Sequence, residues 1–265
     1  MLRRARFTVS YDGTDLSGFA EQVGVRTVMS ELRAAIERVV RQPANLVGAG
    51  RTDAGVHAWG QVVSCDLPDH TDLGGLQRRV NRMCGPEIAV RDWEWAADPE
   101  FHARYSAGSR LYRSHVLNAR EHNPFVARTA WHVTEPLQLW AMNLACDPLI
   151  GEHDFSTFCR RPKVDHGERI RSMRRLVFHA DWKVVAGDVP GLLRFEISAN
   201  AFCHQMVRSI VGTLVEVGMG KLHAGDMRGI LEQRNRQFAG QVAPSHGLVL
   251  WEVAYPVGTP TERPH

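Results

Sequence analysis

Stretches of period-two alternation trade places with stretches of helical period along this chain, and the order of that exchange admits few folds. Ala5 to Ser10 alternates and reads as a strand, closed by the turn-rich Tyr11-Asp12-Gly13-Thr14-Asp15. Val28, Leu32, Ile36 and Val39 recur at helical spacing with charges between them, which predicts a helix over 28–40. A glycine-studded loop (48–55), a strand over 61–65, a helix over 76–83 and a strand over 88–95 follow, so the first half reads β-α-β-β-α-β. The second half runs a similar course, with a strand over 110–118, a helix over 137–149, and strands near 173–185 and 192–198. A strongly apolar helix carrying Val207, Ile210, Val211, Leu214 and Val215, a shorter one near 227–232 and a last strand over 248–255 complete it. Two split β-α-β units of this kind predict an α/β fold of two ferredoxin-like halves, with helices packed on one face of a largely antiparallel sheet. The halves share no obvious sequence identity, so the repeat is one of topology. The expected division is 1–104, 105–257 and a loose polar tail over 258–265.

At 265 residues, with 44% apolar and 23% charged, the chain suits a soluble globular protein and excludes extended disorder, a fibrous repeat or a disulfide miniprotein. No apolar run approaches the roughly 18 residues that span a bilayer, so no membrane association is expected. The basic opening Met1 to Arg6 meets turn residues before any apolar signal core forms, and a cytoplasmic location follows as an expectation. Five cysteines without a C-x-x-C pair read as buried thiols, and thirteen histidines without ligand spacing predict no metal site. The net charge of +3 does not announce a polyanion partner. Its make-up does permit one, since Lys163, Lys183 and Lys221 are the only lysines and 29 of 32 cations are arginines, whose planar forks suit phosphate. An arginine-biased codon usage explains the same numbers.

The most unusual segment is Gly48-Ala49-Gly50-Arg51-Thr52-Asp53-Ala54-Gly55-Val56-His57-Ala58. Three glycines within eight residues permit conformations and close approaches that a Cβ blocks, and they flank an arginine and an aspartate two residues apart. Such a loop can present a carboxylate and a guanidinium to one cleft; a surface turn in which Asp53 bonds its own backbone has the same spacing. No Gly-Lys-Ser/Thr follows, so no nucleotide cofactor is implied.

This run resembles the signature of the tRNA pseudouridine synthase A (TruA) family. The resemblance extends to Tyr11-Asp12-Gly13-Thr14, Phe101-His102-Ala103-Arg104, Tyr112-Arg113, Gly151-Glu152-His153-Asp154-Phe155, Ala199-Asn200-Ala201-Phe202 with His204, Met206-Val207-Arg208, Ile210-Val211-Gly212, Ala243-Pro244, Gly247-Leu248 and Tyr255. Departures stand at Gly18-Phe19-Ala20, at Arg82-Met83-Cys84-Gly85-Pro86 and at Ser114, none of them in the aspartate loop.

The resemblance implies the pseudouridine synthase fold and isomerisation of uridine to pseudouridine at positions 38, 39 and 40 of the tRNA anticodon stem-loop by a homodimer without a cofactor. That reaction breaks C1′–N1, turns the uracil and rejoins it through C5, with no redox step. It needs a nucleophile, a dry pocket and a means of unstacking the base. By resemblance Asp53 is the nucleophile, attacking C1′ or handling the C2′ proton. Tyr112 stacks on the target uracil, although a tyrosine in an alternating strand is also an ordinary core residue. Arg208 lies beside the apolar stripe of its helix, where a guanidinium requires a carboxylate or snorkels to solvent; the resemblance implies Asp53 as its partner. Arg51 is the implied base-flipping residue, and His57 is read as loop scaffolding. Arg160, Arg161 and Lys163 form a cationic run that grips phosphate or simply faces water.

Two other readings compete. A non-catalytic tandem RRM-like RNA-binding protein shares the element order but calls for an aromatic RNP1 octamer, which the sequence lacks. A hydrolase using Asp53 on a small substrate leaves the second-half motifs unexplained.

Overall fold

The computed structural model describes residues 1–160 and 172–256, which divide into two compact units. One comprises residues 1–110 with the chain from Val249 onward, and the other Leu111–Leu248.

In the first unit β1 (Leu2–Tyr11) leads through α1 (Val28–Val40) and the two-residue β2 (Val47–Gly48) to β3 (His57–Pro68), α2 (Leu73–Cys84) and β4 (Ile88–Trp95). β1 is flanked on both sides by antiparallel neighbours, with Phe7 opposite Val63 of β3 and Val9 opposite Val90 of β4. Alternation along β1 buries Ala5, Phe7, Val9 and Tyr11 and turns Arg4, Arg6, Thr8 and Ser10 the other way. Thr27 caps α1, its hydroxyl accepting from the Ser30 N–H at 3.2 Å. From there Val28, Leu32 and Ile36 point inward, and α1 packs against α2, which buries Leu76 and Val80. Each of these large aliphatic side chains contributes about 2 kcal/mol on full burial. Phe7 adds a stacked contact with Trp93 at 3.8 Å between centroids.

The second unit is built from β5 (Ser109–Asn118), β6 (Trp131–Val133), α3 (Leu139–Leu144), β7 (Gly151–Asp154), β8 (Arg174–Val184), β9 (Leu192–Ala199), α4 (Met206–Gly218) and α5 (Asp226–Glu232). The strand order is β5-β9-β8-β7, with β6 parallel on β5. Trp182 of β8 stands opposite Phe195 of β9, and both are buried. α4 is buried on nearly every side, as its run of apolar residues requires. The final strand, β10 (Leu248–Ala254), runs parallel to β3 in the first unit, with Val249 opposite His57 and Leu250 opposite Ala58.

The fold is thus mixed α/β with ten strands among the described residues, most of them paired antiparallel, as the order of periodicities implied. The helix expected over 137–149 is shorter. α3 stops at Leu144 and a separate 3₁₀ turn takes Asp147–Leu149, because Pro148 has no N–H to continue the helical ladder. β6 and β7, of three and four residues, are too short to show a period. Residues 258–265, read as a tail, lie outside the described residues.

One edge of β3 positions the aspartate loop. β1 covers its other edge; on this one, β10 pairs at His57 and Ala58, and β2 pairs at Val63 and Ser64. The glycine-rich chain turns away between those two pairings.

Candidate active site

Several residues of the loop between β2 and β3 are fastened, each in a different way. Ala49 donates its N–H to the Val62 carbonyl at 2.9 Å. The Gly50 backbone is held by the fully buried Gln61 side chain, whose Nε2 donates to the Gly50 carbonyl at 2.8 Å and whose Oε1 accepts the Gly50 N–H at 3.3 Å. Arg110 donates to the Ala49 carbonyl at 3.1 Å and to the Arg104 carbonyl at 2.6 Å. Thr52 turns inward: its hydroxyl lies 2.8 Å from the Tyr11 hydroxyl, and its carbonyl accepts the Phe19 N–H at 3.1 Å. That approach needs Gly18, at φ +93°, since a Cβ there would stand 2.9 Å from the Thr52 carbonyl oxygen.

Asp53 opens a β-turn closed by the Val56 N–H on its carbonyl at 3.1 Å, with Gly55 at φ +76° in the third position, where the type II turn demands a positive φ. On the far side Gly13 donates its N–H to His57 Nδ1 at 3.0 Å, and Asp12 Oδ1 lies 3.1 Å from the same nitrogen. A Cβ on Gly13 would lie 2.1 Å from the Val56 carbonyl oxygen. With Thr52 pinned inward, Asp53 is half-buried and Arg51 is exposed on the same loop. His57 is buried.

The Phe101-His102-Ala103-Arg104 motif also belongs to this unit. Ala103 receives the Tyr255 hydroxyl on its carbonyl at 2.7 Å and donates its N–H to the Ser64 hydroxyl at 3.2 Å. Burial pushes the Tyr255 phenol well above its ordinary range, so it stays a hydrogen-bond donor.

In the second unit Tyr112 sits on β5, 8% exposed, with its ring edge-on to Phe202 at 5.1 Å. Arg208 stands in the first turn of α4, half-buried, and Nε donates to the Ala243 carbonyl at 2.8 Å while the Ala243 N–H returns to the Arg208 carbonyl at 3.0 Å. Those bonds belong to a strap that runs along α4. Gly240 donates to the Thr213 hydroxyl at 3.0 Å, Gln241 to Glu216 at 3.0 Å, and Gly212 leaves room for the Gln241 carbonyl, which a Cβ would meet at 1.8 Å. Arg160 is exposed, and its N–H donates to the His204 carbonyl at 3.0 Å. Arg161 and Lys163 lie outside the described residues. Thus Arg51 and Asp53 share one loop, while Tyr112 and Arg160 are both joined to the Phe202–His204 segment.

Gln61 and Arg110 were not legible as site residues, nor were the fastening roles of Gly13, Gly18 and the strap over 240–243. The available signal was a glutamine set between Gly60 and the Val62-Val63 pair of a strand. Among the described residues no group of three or more His, Cys, Asp or Glu side chains is placed to hold a metal, and no helix is long and apolar enough to cross a membrane.

The family model described as tRNA pseudouridine synthase matches residues 145–256. A relative from Geobacillus sp. (strain WCH70), named tRNA pseudouridine synthase A, is 38% identical over 96% of this chain and 99% of its own length. Proteins of the same name from Frankia casuarinae and Bacillus subtilis (strain 168) are 43% and 36% identical, covering 96% and 95% of this chain and 90% and 99% of their own. A crystal structure of a Cbf5-Nop10-Gar1 complex aligns at TM-score 0.32 and 12% identity, over 79% of this chain and 53% of that one, too distant to bear on the fold. The chain belongs to the tRNA pseudouridine synthase A family. Its reaction class is therefore pseudouridylation of tRNA, an isomerisation.

Proposed function

We propose that the protein converts uridine to pseudouridine at positions 38, 39 and 40 of the tRNA anticodon stem-loop, with Asp53 as the nucleophile. The observation that carries this reading is the loop itself. Thr52, Gly55 and Gln61 fix the backbone on both sides of Asp53, which is half-buried. A carboxylate needs no activating base to act at neutral pH. Attack at C1′ expels the uracil with the N1 electron pair; abstraction of the C2′ proton labilises the same bond. The freed uracil turns and C5 bonds to C1′ as the Asp53–C1′ ester bond breaks, or, on the second route, as C2′ takes its proton back; the C5 proton leaves to solvent and N1 takes one up, so atoms and charge balance.

The other residues take the roles this chemistry requires. Tyr112, backed by Phe202, stacks on the uracil while it is detached. Arg208 pairs with Asp53, and its Nε bond to Ala243 sets the plane of the guanidinium beforehand. Arg51 enters the gap left by the flipped base, offsetting the few kcal/mol that unstacking costs. Arg160, with Arg161 and Lys163, grips phosphate. The protein acts as a homodimer in the cytoplasm, recognising tRNA by shape more than by sequence. A base-resolved map of pseudouridine in tRNA from cells with and without the protein tests this. Loss confined to positions 38–40 is expected, and an unchanged map refutes it. A tandem RRM-like binding protein would leave the map unchanged.

A further inference from the structure

Cys159 and Cys203 come from distant parts of the sequence and meet in the second unit. Cys159 closes the 3₁₀ turn Ser156–Phe158 and is buried, whereas Cys203 precedes α4 and is partly open to solvent. Their side chains lie close enough to interact. One residue beyond each, the Arg160 N–H and the His204 carbonyl join the two backbones at 3.0 Å. Both cysteines are free thiols.

We propose that this pair is a peroxide-sensitive modification site, with Cys203 the attacking thiol and Cys159 the resolving one. A redox-active thiol is accessible, has thiolate character and stands next to a second cysteine. Cys203 meets each condition. The neighbouring Cys159 thiol holds its thiol below the ordinary range, and the Arg175 guanidinium on β8 adds to this against burial and the Asp154 carboxylate on β7. Cys159 is buried beside it and out of reach of a solvent-borne oxidant, which leaves it the resolving role. The other three cysteines are inert by contrast: burial pushes Cys65 up to about 12 and Cys84 up to about 11, and raises Cys146 further.

The chemistry closes with a hydroperoxide as oxidant. The Cys203 thiolate attacks one peroxide oxygen, the O–O bond breaks, and a sulfenic acid and water (or an alcohol) result. Cys159 sulfur then attacks the Cys203 sulfur, the S–S bond forms, and hydroxide leaves as water with the Cys159 proton. Two thiols are oxidised by two electrons and one peroxide is reduced.

Closure draws the sulfurs to about 2 Å, shorter than any hydrogen-bonded contact, and so pulls on the chain at Cys203. Its neighbours are Phe202, against the Tyr112 ring, and His204, whose carbonyl holds the Arg160 N–H. The crosslink therefore distorts the support of Tyr112. This consequence rests on the role proposed above for Tyr112; the crosslink does not.

The test exposes the reduced full-length protein to hydrogen peroxide, blocks residual thiols with an alkylating agent and identifies crosslinked peptides by mass. A Cys159–Cys203 linkage is expected, together with a fall in tRNA pseudouridylation of about tenfold or more that a dithiol reverses. Cys159→Ala should give Cys203 sulfinic acid instead, beyond dithiol recovery. Cys203 that remains fully alkylatable, or crosslinks elsewhere, overturns the proposal; a crosslinked protein of undiminished activity overturns its coupling to the site. Reduced protein without activity counts against the function reading instead, because mass alone decides the crosslink.

Discussion

Gly13→Ala isolates the mount of the aspartate loop from its chemistry. The added methyl would lie 2.1 Å from the Val56 carbonyl oxygen, and ordinary contact begins at about 3.4 Å, so the two backbones must part by about 1 Å. Val56 closes the turn that Asp53 opens, so the displacement passes directly to the carboxylate. Overpacking of this kind costs about 1–3 kcal/mol of stability. A catalytic group misplaced by about 1 Å loses about a hundredfold in rate, equivalent to about 2.7 kcal/mol of transition-state stabilisation. Gly50→Ala is the control in the same loop, since a Cβ there meets nothing within 4 Å. Its kcat should stay within about twofold of the parent. The assay is single-turnover release of tritium from C5-labelled uridine in an anticodon stem-loop, with urea unfolding of each variant measured alongside. Gly13→Ala that folds and keeps the parent rate refutes the argument that the turn over 53–56 positions Asp53.

Two further perturbations test other parts of the structure. Gln61→Leu removes both hydrogen bonds to Gly50 and strands its backbone groups, which should cost about 2 kcal/mol in urea unfolding and lower kcat more than it raises KM; unchanged stability would show that the clamp is redundant. Burial pushes the Asp154 carboxyl up, but the Ser156 hydroxyl at 2.5 Å and its N–H at 3.0 Å outweigh that and hold it below the usual carboxylate range. A carboxyl lowered in the folded state stabilises above its unfolded pKa and loses that contribution as the pH falls through the folded one. Ser156→Ala should therefore be less stable than the parent at neutral pH by a margin that closes in acid, measured by unfolding across pH, and a margin that widens in acid contradicts this.

The parts of the fold legible in the sequence are those with a long, one-sided period. α1 occupies the expected Val28–Val40 and β4 the expected Ile88–Trp95, because each alternates a buried and a solvated face over several turns or pleats. β3 extends well past the expected 61–65: most of its residues on both faces are buried, and His57, Gln61, Ser64 and Asp66 interrupt any apolar alternation. At the site, the glycine spacing points to the loop but not to its fastenings. Gln61 reaches Gly50 only through the register of β3, and Arg208 meets Ala243 across 35 residues of chain. Such contacts are properties of tertiary placement and leave no local pattern. The pairing of Cys159 with Cys203 belongs to the same class.

Release of the C5 proton from anticodon stem-loop uridine by Asp53→Asn, compared with the parent, tests the central claim most directly. Asparagine keeps the size and turn-forming habit of aspartate and removes only the charge. Stoichiometric release by the parent and none above background by a folded Asp53→Asn is the predicted result. Release by the variant at the parent rate would contradict the assignment of Asp53 as nucleophile.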